Sequence, residues 1–257
     1  QARAERRVSA FVGIEEDWLL EMPWFREEVK EELDRVRGRA ESVTRWLYGS
    51  LTLLEERKGL AGGGSLLLVE EVLKKGWRAI CAEGAVEQFV QRLLLMRQHG
   101  GRGIDASAVP EPTAEWLKEA LTEFAQGKSK QSELVEADFM SFLKYRLEPS
   151  LVTALDREAP EFLTLAQGRR VGIHYEAGKP PWVESRLQDF FGMKDTPTLA
   201  GGKIKLTVHL LAPNRRPVQV TSDLAGFWVR GYQEVRRALS RRYPRHSWPE
   251  DPSSASE

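Results

Sequence analysis

The chain has 257 residues, which is enough to bury one large hydrophobic core or two or three small ones. Hydrophobic residues make up 41% and charged residues 30% of the sequence, a composition typical of a soluble globular protein. The 38 basic and 38 acidic residues cancel, the single cysteine (Cys81) excludes an internal disulfide, and no apolar run approaches the roughly 18 residues of a membrane-spanning helix.

Residues 1–60 are predicted to form a small β-rich region. Alternating apolar residues predict a first strand at Val8, Ala10, Val12 and Ile14. The stretch 15–34 contains nine acidic residues and is expected to be a solvated loop or a short helix. A second alternating pattern, in a run rich in Thr, Trp and Tyr, places one apolar face on Val43, Leu47, Leu51 and Leu53. Together these patterns indicate part of a small barrel or sheet.

Residues 61–160 are predicted to form a helical bundle, which follows a glycine-rich linker at 59–64. Apolar residues recur at helical spacing in five segments. Polar or proline residues suited to a helix start precede several of them. The segments begin near Ser65, Ala85, Pro112, Ser132 and Pro149.

From Gly168 the apolar period changes to two, which predicts an α/β domain over residues 161–252. Strands are predicted at 171–175, 204–210 and 218–220, and a short helix at 183–191. Short links between the strands favour a mixed or antiparallel sheet. A long terminal helix, capped by Thr221 or Ser222, is expected to run to Pro244, with Trp228 and Tyr232 in the core. Residues 253–257 are expected to be disordered, and the whole chain is expected to be a multi-domain α+β protein.

Two glycine-rich segments resemble functional loops but lack the residues that such loops need. Residues 62–65 precede a helix without the Gly-Lys-Ser/Thr of a phosphate-binding loop, so a linker is the better interpretation. Residues 98–103 lack the second arginine of a helicase arginine motif. The histidines have no metal-ligand spacing, and no Ser-His-acid arrangement is evident. We therefore predict no catalytic residue and no metal site.

The strongest local signal is a basic segment near the end of the chain. Residues 203–245 contain ten lysines and arginines but only two acids, Asp223 and Glu234. Because the whole chain is neutral, this segregation produces a local positive field. Such a field favours an anionic partner, and nucleic acid is the commonest one.

Seven arginines of this segment are predicted to contact phosphates, because a planar guanidinium group matches the phosphate oxygens. They are Arg215, Arg216, Arg230, Arg237, Arg241, Arg242 and Arg245. Helical spacing is expected to place Arg230, Arg237 and Arg241 on one face. Tyr243 and Trp248 are candidates for stacking on bases, although Trp248 has the alternative role of pinning the tail to the domain. The alternative for the arginines is an ordinary solvated face.

Three blocks of the basic segment occur in a specific order, at 210–228 (LLAPNRRPVQVTSDLAGFW), 234–237 (EVRR) and 242–252 (RYPRHSWPEDP). Together with 168–171 (GRRV) and 187–192 (LQDFFG), they resemble the C-terminal region of the HrpB-type bacterial ATP-dependent helicases, of the DEAH/RHA class. In that class an OB-like barrel follows the helicase core. The resemblance therefore implies that residues 1–60 are that barrel or its last strands.

The resemblance also implies a function. The chain would be an accessory, nucleic-acid-facing C-terminal region of an ATP-dependent RNA helicase, whose core lies upstream in the same polypeptide. ATP and magnesium would belong to that core, so the chain itself is expected to hold no cofactor and to show no ATPase activity. RNA or another single-stranded nucleic acid is the expected partner, and the expected location is the cytoplasm, away from membranes.

Two other functions are compatible with the sequence. Helical bundles offer grooves, and Pro- and Arg-rich tails often bind proteins, so the chain is alternatively a protein-docking module that recruits the helicase to a partner complex. The acidic stretch 15–34 also permits self-association with the basic end. A third possibility is a structural role, in which the region stabilises the helicase core.

Overall fold

The structure is a computed structural model and describes residues 21–60 and 62–254, together with residues 13, 15 and 18. The strand predicted at Val8, Ala10, Val12 and Ile14 lies outside the described residues, as do the tail residues 255–257. Ser253 and Ser254 belong to a final turn, in which the Ser253 backbone N–H donates to Asp251 Oδ1 at 2.9 Å.

The chain divides into two compact units. As far as they are described, the residues up to Lys74 and Thr122–Ala137 form the first, and Lys75–Leu121 with the residues from Asp138 onward form the second. Residues of the predicted helical region, 61–160, therefore contribute to both units. The division into three regions stays a prediction.

The first unit contains a three-stranded antiparallel sheet in the order β1-β2-β3. Its strands are β1 (Phe25–Asp34), β2 (Arg39–Tyr48) and β3 (Leu51–Gly59). The predicted β-rich character is confirmed here, while the OB-like comparison stays a prediction. Val43 and Leu47 are buried, but Leu51 and Leu53 are exposed. The single face predicted for these four residues is wrong, because the turn at 49–50 starts a new strand.

The acidic stretch 15–34 was expected to form a loop or short helix, but its second half is strand β1. Arg45 of the neighbouring strand compensates part of its charge. Arg45 on β2 contacts Glu32 of β1 at 2.6 Å and Glu55 of β3 at 2.7 Å. Because these ion pairs join residues 10 and 13 positions apart, they depend on the strand pairing and not on the local sequence.

The five predicted helices are present, and one of them is divided into two. Their bounds are α1 (Ser65–Lys75), α2 (Ala85–His99), α3 (Ala114–Ala125), α4 (Gln131–Glu136), α5 (Phe139–Tyr145) and α6 (Pro149–Glu158). The fourth predicted helix is two helices, because Asp138 has a positive φ of 56°. The Asp138 carboxylate then caps α5 by accepting from the backbone N–H of Met140 and Ser141.

A five-stranded sheet in the order β10-β9-β6-β5-β4 forms the centre of the second unit. The strands of this part of the chain are β4 (Phe162–Thr164), β5 (Arg170–His174), β6 (Trp182–Arg186), β7 (Thr198–Leu199), β8 (Ile204–Lys205), β9 (Thr207–Leu211) and β10 (Pro217–Thr221). The β6–β9 pair is parallel and the other pairs of this sheet are antiparallel. This arrangement confirms the predicted mixed sheet and the α+β class.

The helix predicted at 183–191 is wrong. Its first residues belong to strand β6, and Leu187–Phe190 form a single 3₁₀ turn. Val183 and Ser185 alternate into the core, which a strand requires, while Leu187 is buried in the turn that follows. The apolar residues of this short segment are thus compatible with both a helical and a strand period. The pairing of β6 with β9 stabilises the strand.

The single long terminal helix is also wrong. Two helices occur instead, α7 (Leu224–Arg230) and α8 (Tyr232–Arg242), with Gly231 between them. A Cβ at Gly231 would approach Cδ2 of the Phe227 ring to 2.8 Å, so the ring packs directly on the glycine backbone. The N-cap of α7 is Asp223, and not Thr221 or Ser222, because Asp223 Oδ1 accepts from the Gly226 N–H at 2.9 Å.

Candidate nucleic-acid interface

An aromatic cluster anchors the two final helices to the rest of the second unit. Trp228 and Tyr232 are buried, and their rings meet edge to face with centroids 5.5 Å apart. The Phe191 ring contacts both, and Trp228 Nε1 donates to the Met193 carbonyl at 2.8 Å. These contacts confirm the core role predicted for the two residues, and they fix the orientation of α8.

The tail after α8 folds back along one face of that helix. The Tyr232 hydroxyl donates to the Pro249 carbonyl at 2.8 Å, and the Gln233 amide donates to the Glu250 carbonyl at 3.0 Å. Farther along the tail, the Gly192 N–H donates to the Pro252 carbonyl at 2.8 Å. The tail therefore covers the helix face that carries Tyr232 and leaves other faces open.

Trp248 and Tyr243 lie where the tail turns back. Trp248 is partly buried, and its Nε1 donates to the Tyr243 carbonyl at 2.9 Å. The Tyr243 ring makes an edge contact with His246, and the guanidinium group of Arg242 lies 5.7 Å from its centroid. These contacts support the tail-pinning alternative for Trp248. Base stacking by either residue stays a prediction.

Arg237 and Arg241 lie four residues apart on α8 and therefore share a face. Both are exposed, as are Arg242 and Arg245 beyond them. Within the part of the chain that the structure describes, no carboxylate forms an ion pair with any of these four arginines. We call these four residues the terminal arginine cluster.

Arg230 does not join the terminal arginine cluster. It belongs to α7, and its guanidinium group contacts Asp223 Oδ2 at 2.7 Å. The N–H of Gly226 and then the guanidinium group of Arg230 hold the pKa of Asp223 below its ordinary value. The single face expected for Arg230, Arg237 and Arg241 is thus divided, because the helix is interrupted at Gly231.

Arg215 and Arg216 occupy the turn between β9 and β10 and are exposed. Arg215 has a φ of 64°, a left-handed conformation that costs a non-glycine residue about 1–2 kcal/mol. Its N–H donates to the Ala212 carbonyl at 2.8 Å, and the Ala212 N–H donates to the Arg216 carbonyl at the same distance. The seven predicted arginines therefore come from four elements, namely the β9–β10 turn, helix α7, helix α8 and the tail.

Arg236 has a structural role that the sequence interpretation missed. It is partly buried, and its Nε donates to the Trp248 carbonyl at 2.9 Å. Its spacing of four from Tyr232 was the available signal, because that spacing places it on the tail-covered face. Arg236 holds the tail and is not part of the open basic surface.

Each glycine-rich segment contains one glycine that close packing requires. A Cβ at Gly64 would lie 2.2 Å from the Cβ of Ala40, so the chain passes directly over strand β2 at that point. A Cβ at Gly101 would meet Met96 Cε at 2.8 Å and Glu158 Cγ at 2.9 Å. Close packing explains the glycine at these two positions.

A metal site and a membrane-spanning helix are both absent from the described residues, which are 21–60 and 62–254 with 13, 15 and 18. Among them no group of three or more His, Cys, Asp and Glu side chains is placed to hold a metal ion. Within the same residues no helix combines the length and the apolar character that crossing a bilayer requires.

Residues 116–252 match a family described as "ATP-dependent helicase C-terminal" (HrpB_C), which covers more than half of the chain. The chain belongs to this HrpB-type helicase C-terminal family. It is 29% identical over 229 residues to the ATP-dependent RNA helicase HrpB of Escherichia coli K12, which covers 87% of the chain and 28% of that protein. The three sequence blocks of the basic segment lie within the matched residues.

Solved structures of an HrpB helicase have the same fold as the chain. One, a crystal structure of the E. coli DExH-box NTPase HrpB, superposes with a TM-score of 0.67 at 28% identity and covers 95% of the chain. A crystal structure of the E. coli DEAH/RHA helicase HrpB gives a TM-score of 0.59 at 28% identity and covers 88%. The chain spans 31% and 29% of the two proteins, so it corresponds to less than a third of these HrpB-type relatives.

Proposed function

We propose that the chain is an accessory, RNA-facing region of a bacterial ATP-dependent helicase that acts in the cytoplasm. In this proposal the helicase core lies in the same polypeptide and carries ATP, magnesium and the motor activity. The region contributes a basic surface that contacts the phosphate backbone of single-stranded RNA. It has no ATPase activity of its own.

The observation that carries this proposal is the contrast among the arginines of α8 and the tail. Arg236 is used inside the domain, whereas the four residues of the terminal arginine cluster are exposed and form no ion pair with a described carboxylate. Exposed guanidinium groups without carboxylate partners keep their charge and their donors available for phosphate. The seven arginines predicted from sequence as nucleic-acid contacts are all exposed, which is compatible with the proposal.

Binding of a fluorescein-labelled uridine 12-mer by the 257-residue chain, measured at several salt concentrations, tests the proposal. Each phosphate neutralised on a single strand contributes about −0.7 to the slope of log K against log salt, so four contacts predict a slope of about −2.8. The double variant Arg237→Glu/Arg241→Glu is expected to make the slope shallower by about 1.4 or more. Its thermal stability should be nearly unchanged, because exposed charges contribute little.

A matched control is Arg78→Glu/Lys194→Glu. It changes the net charge by the same amount at two exposed positions of the second unit outside the terminal arginine cluster. Equal losses of RNA affinity in the two double variants would show a dependence on overall charge alone and would contradict the assigned surface. Binding that does not respond to salt would contradict the proposal as a whole.

Protein docking is the second candidate, and the sheet of the first unit favours it. Trp24, Leu51 and Leu54 are all more than 60% exposed on or beside this sheet. Exposed apolar groups of this size are typical of surfaces that another polypeptide covers. Capture of a partner that survives nuclease treatment and is lost in Leu51→Ser/Leu54→Ser, with no RNA binding by the purified chain, would favour this function over the first.

A further inference from the structure

A cleft of about 510 Å³ lies in the second unit, beside the starts of the parallel strands β6 and β9. The C-terminal half of α2 contributes Leu94, Leu95 and His99 to it. The β5–β6 loop contributes residues 175, 176 and 178–181, and the segment before β9 contributes residues 203–205. The cleft is formed by elements other than those that carry the terminal arginine cluster.

The ionised groups that line the cleft are three lysines and one carboxylate, namely Lys179, Lys203, Lys205 and Glu176. Both oxygens of Glu176 are occupied, because Lys179 Nζ contacts Oε2 at 2.5 Å and Trp182 Nε1 donates to Oε1 at 3.0 Å. The hydrogen bond from Lys179 and then the one from Trp182 hold the pKa of Glu176 below its ordinary value. Glu176 therefore stays ionised and compensates Lys179.

Lys203 and Lys205 are not compensated in this way. Lys203 Nζ donates to the His99 carbonyl at 2.6 Å, which uses one of its three N–H groups. Lys205 is exposed. Asp223 interacts with Lys205 electrostatically, but its carboxylate is paired with Arg230. No described carboxylate forms an ion pair with either lysine. The cleft thus presents two net positive charges in a chain whose overall charge is zero.

The rest of the cleft combines apolar side chains with the polar residues Gln91, Gln98 and His99. Leu94 is 37% exposed, and Pro180 and Pro181 also line the cleft. Directly after the prolines, the Trp182 ring is stacked between two imidazole rings, with centroids 3.9 Å from His174 and 4.6 Å from His209. This ladder crosses β5, β6 and β9 and fixes the indole that holds Glu176.

A cationic edge beside an apolar wall matches a nucleotide, which has an anionic phosphate and a flat base. We infer that this cleft binds one nucleotide unit of single-stranded RNA, with a backbone phosphate held by Lys203 and Lys205 and the base against Leu94 and the two prolines. The inference rests on the proposed function, because it presupposes that the chain binds RNA. It adds a second contact region, away from the terminal arginine cluster.

Two opposite variants test the inference in the 257-residue chain, with the labelled uridine 12-mer as the probe. Lys203→Gln/Lys205→Gln is expected to lower RNA affinity by on the order of tenfold at about 0.1 M salt and to make the salt slope shallower. Glu176→Gln is expected to raise affinity several-fold, because it releases the charge of Lys179. Lys205→Gln alone replaces an exposed side chain and keeps the Lys203–His99 hydrogen bond. It is used in place of the double variant if the double variant does not fold.

The outcomes separate this inference from the proposed function. Loss of affinity in the lysine variant with a gain in Glu176→Gln supports the cleft, whatever the terminal arginine variants do. Unchanged affinity in both cleft variants, with loss in Arg237→Glu/Arg241→Glu, overturns the cleft and leaves the proposed function standing. No RNA binding by the unmodified chain overturns both.

A titration with AMP identifies the source of the nucleotide. For a nucleotide-sized site, AMP is expected to compete with the 12-mer. The AMP concentration that gives half-maximal competition should be higher for Lys203→Gln/Lys205→Gln than for the unmodified chain. Binding of AMP at the cleft without any effect of the cleft variants on RNA would assign the cleft to a free nucleotide and overturn the RNA assignment. Competition by a polyglutamate peptide but not by AMP would indicate an acidic protein partner, which also overturns it.

Discussion

Arg236 Nε donates a hydrogen bond of 2.9 Å to the carbonyl oxygen of Trp248. This contact joins the middle of the last helix to the tail, and Arg236 also contacts the Glu250 carboxylate at 3.5 Å. Arg237, the next residue, is exposed and has no such partner among the described residues. Two adjacent arginines of one sequence block thus have different environments, one engaged inside the domain and one exposed to solvent.

Replacing these two arginines in turn should separate stability from RNA affinity. Arg236→Gln is expected to lower the free energy of unfolding by about 1 kcal/mol, because it removes the hydrogen bond that holds the tail. Arg237→Gln is expected to leave that free energy unchanged and to weaken RNA binding. Urea unfolding and fluorescence anisotropy measure the two quantities. A larger loss of stability in Arg237→Gln would contradict the assignment.

Asp223 should be the residue that caps α7. Asp223→Ala is expected to destabilise the second unit, because it removes the N-cap and the partner of Arg230. Ser222→Ala is the control, since no side-chain hydrogen bond of Ser222 occurs among the described residues. Thermal unfolding of both variants checks the difference, which a cap at Ser222 would reverse.

The Asp223 contribution should also depend on pH. Its pKa is lowered by the Gly226 N–H and then by Arg230, so its stabilising effect is complete above the ordinary aspartate pKa. The effect is lost as the pH falls through the lowered folded-state pKa. The stability difference between the unmodified chain and Asp223→Ala should therefore be constant near neutrality and shrink under strongly acidic conditions. A difference that grows on acidification would refute the assigned contacts.

The backbone conformation of Arg215 should lower the stability of the chain, while its exposed side chain contributes to RNA affinity. Its φ of 64° is strained for arginine and unstrained for glycine. Arg215→Gly is therefore expected to keep or raise the free energy of unfolding, by up to about 1 kcal/mol, while RNA affinity falls. Arg216→Gly, beside it in the same turn, removes the same charge without relieving a positive φ and serves as the comparison. A loss of stability in Arg215→Gly greater than that in Arg216→Gly would contradict this explanation.

Gly64 should be required for packing and not for phosphate binding. Gly64→Ala is expected to destabilise the first unit by about 3 kcal/mol, because the new Cβ overlaps that of Ala40 at a positive φ of 78°. Gly62→Ala has a similar φ of 73° with nothing near its Cβ and should cost only about 1 kcal/mol. Equal unfolding midpoints for the two variants would exclude the overlap with Ala40 as the cause.

The family and most local elements followed from sequence order and periodicity. A helix was predicted to start near Ala85, and α2 spans Ala85–His99, because its apolar residues recur at one turn spacing within a single segment. Trp228 and Tyr232 were placed in the core for the same reason. Patterns of this kind depend only on neighbours along the chain, so they can be interpreted without the fold.

Tertiary structure decided the features that depend on distant partners. Arg45 of β2 pairs with Glu32 of the acidic strand β1 across the sheet, and Arg236 of the last helix reaches the Trp248 carbonyl, 12 positions further along the chain. The sequence determined how much positive charge the chain carries near its end. Only the folded chain determined which of those cations are engaged, because hydrogen bonds and ion pairs form between groups that folding brings together.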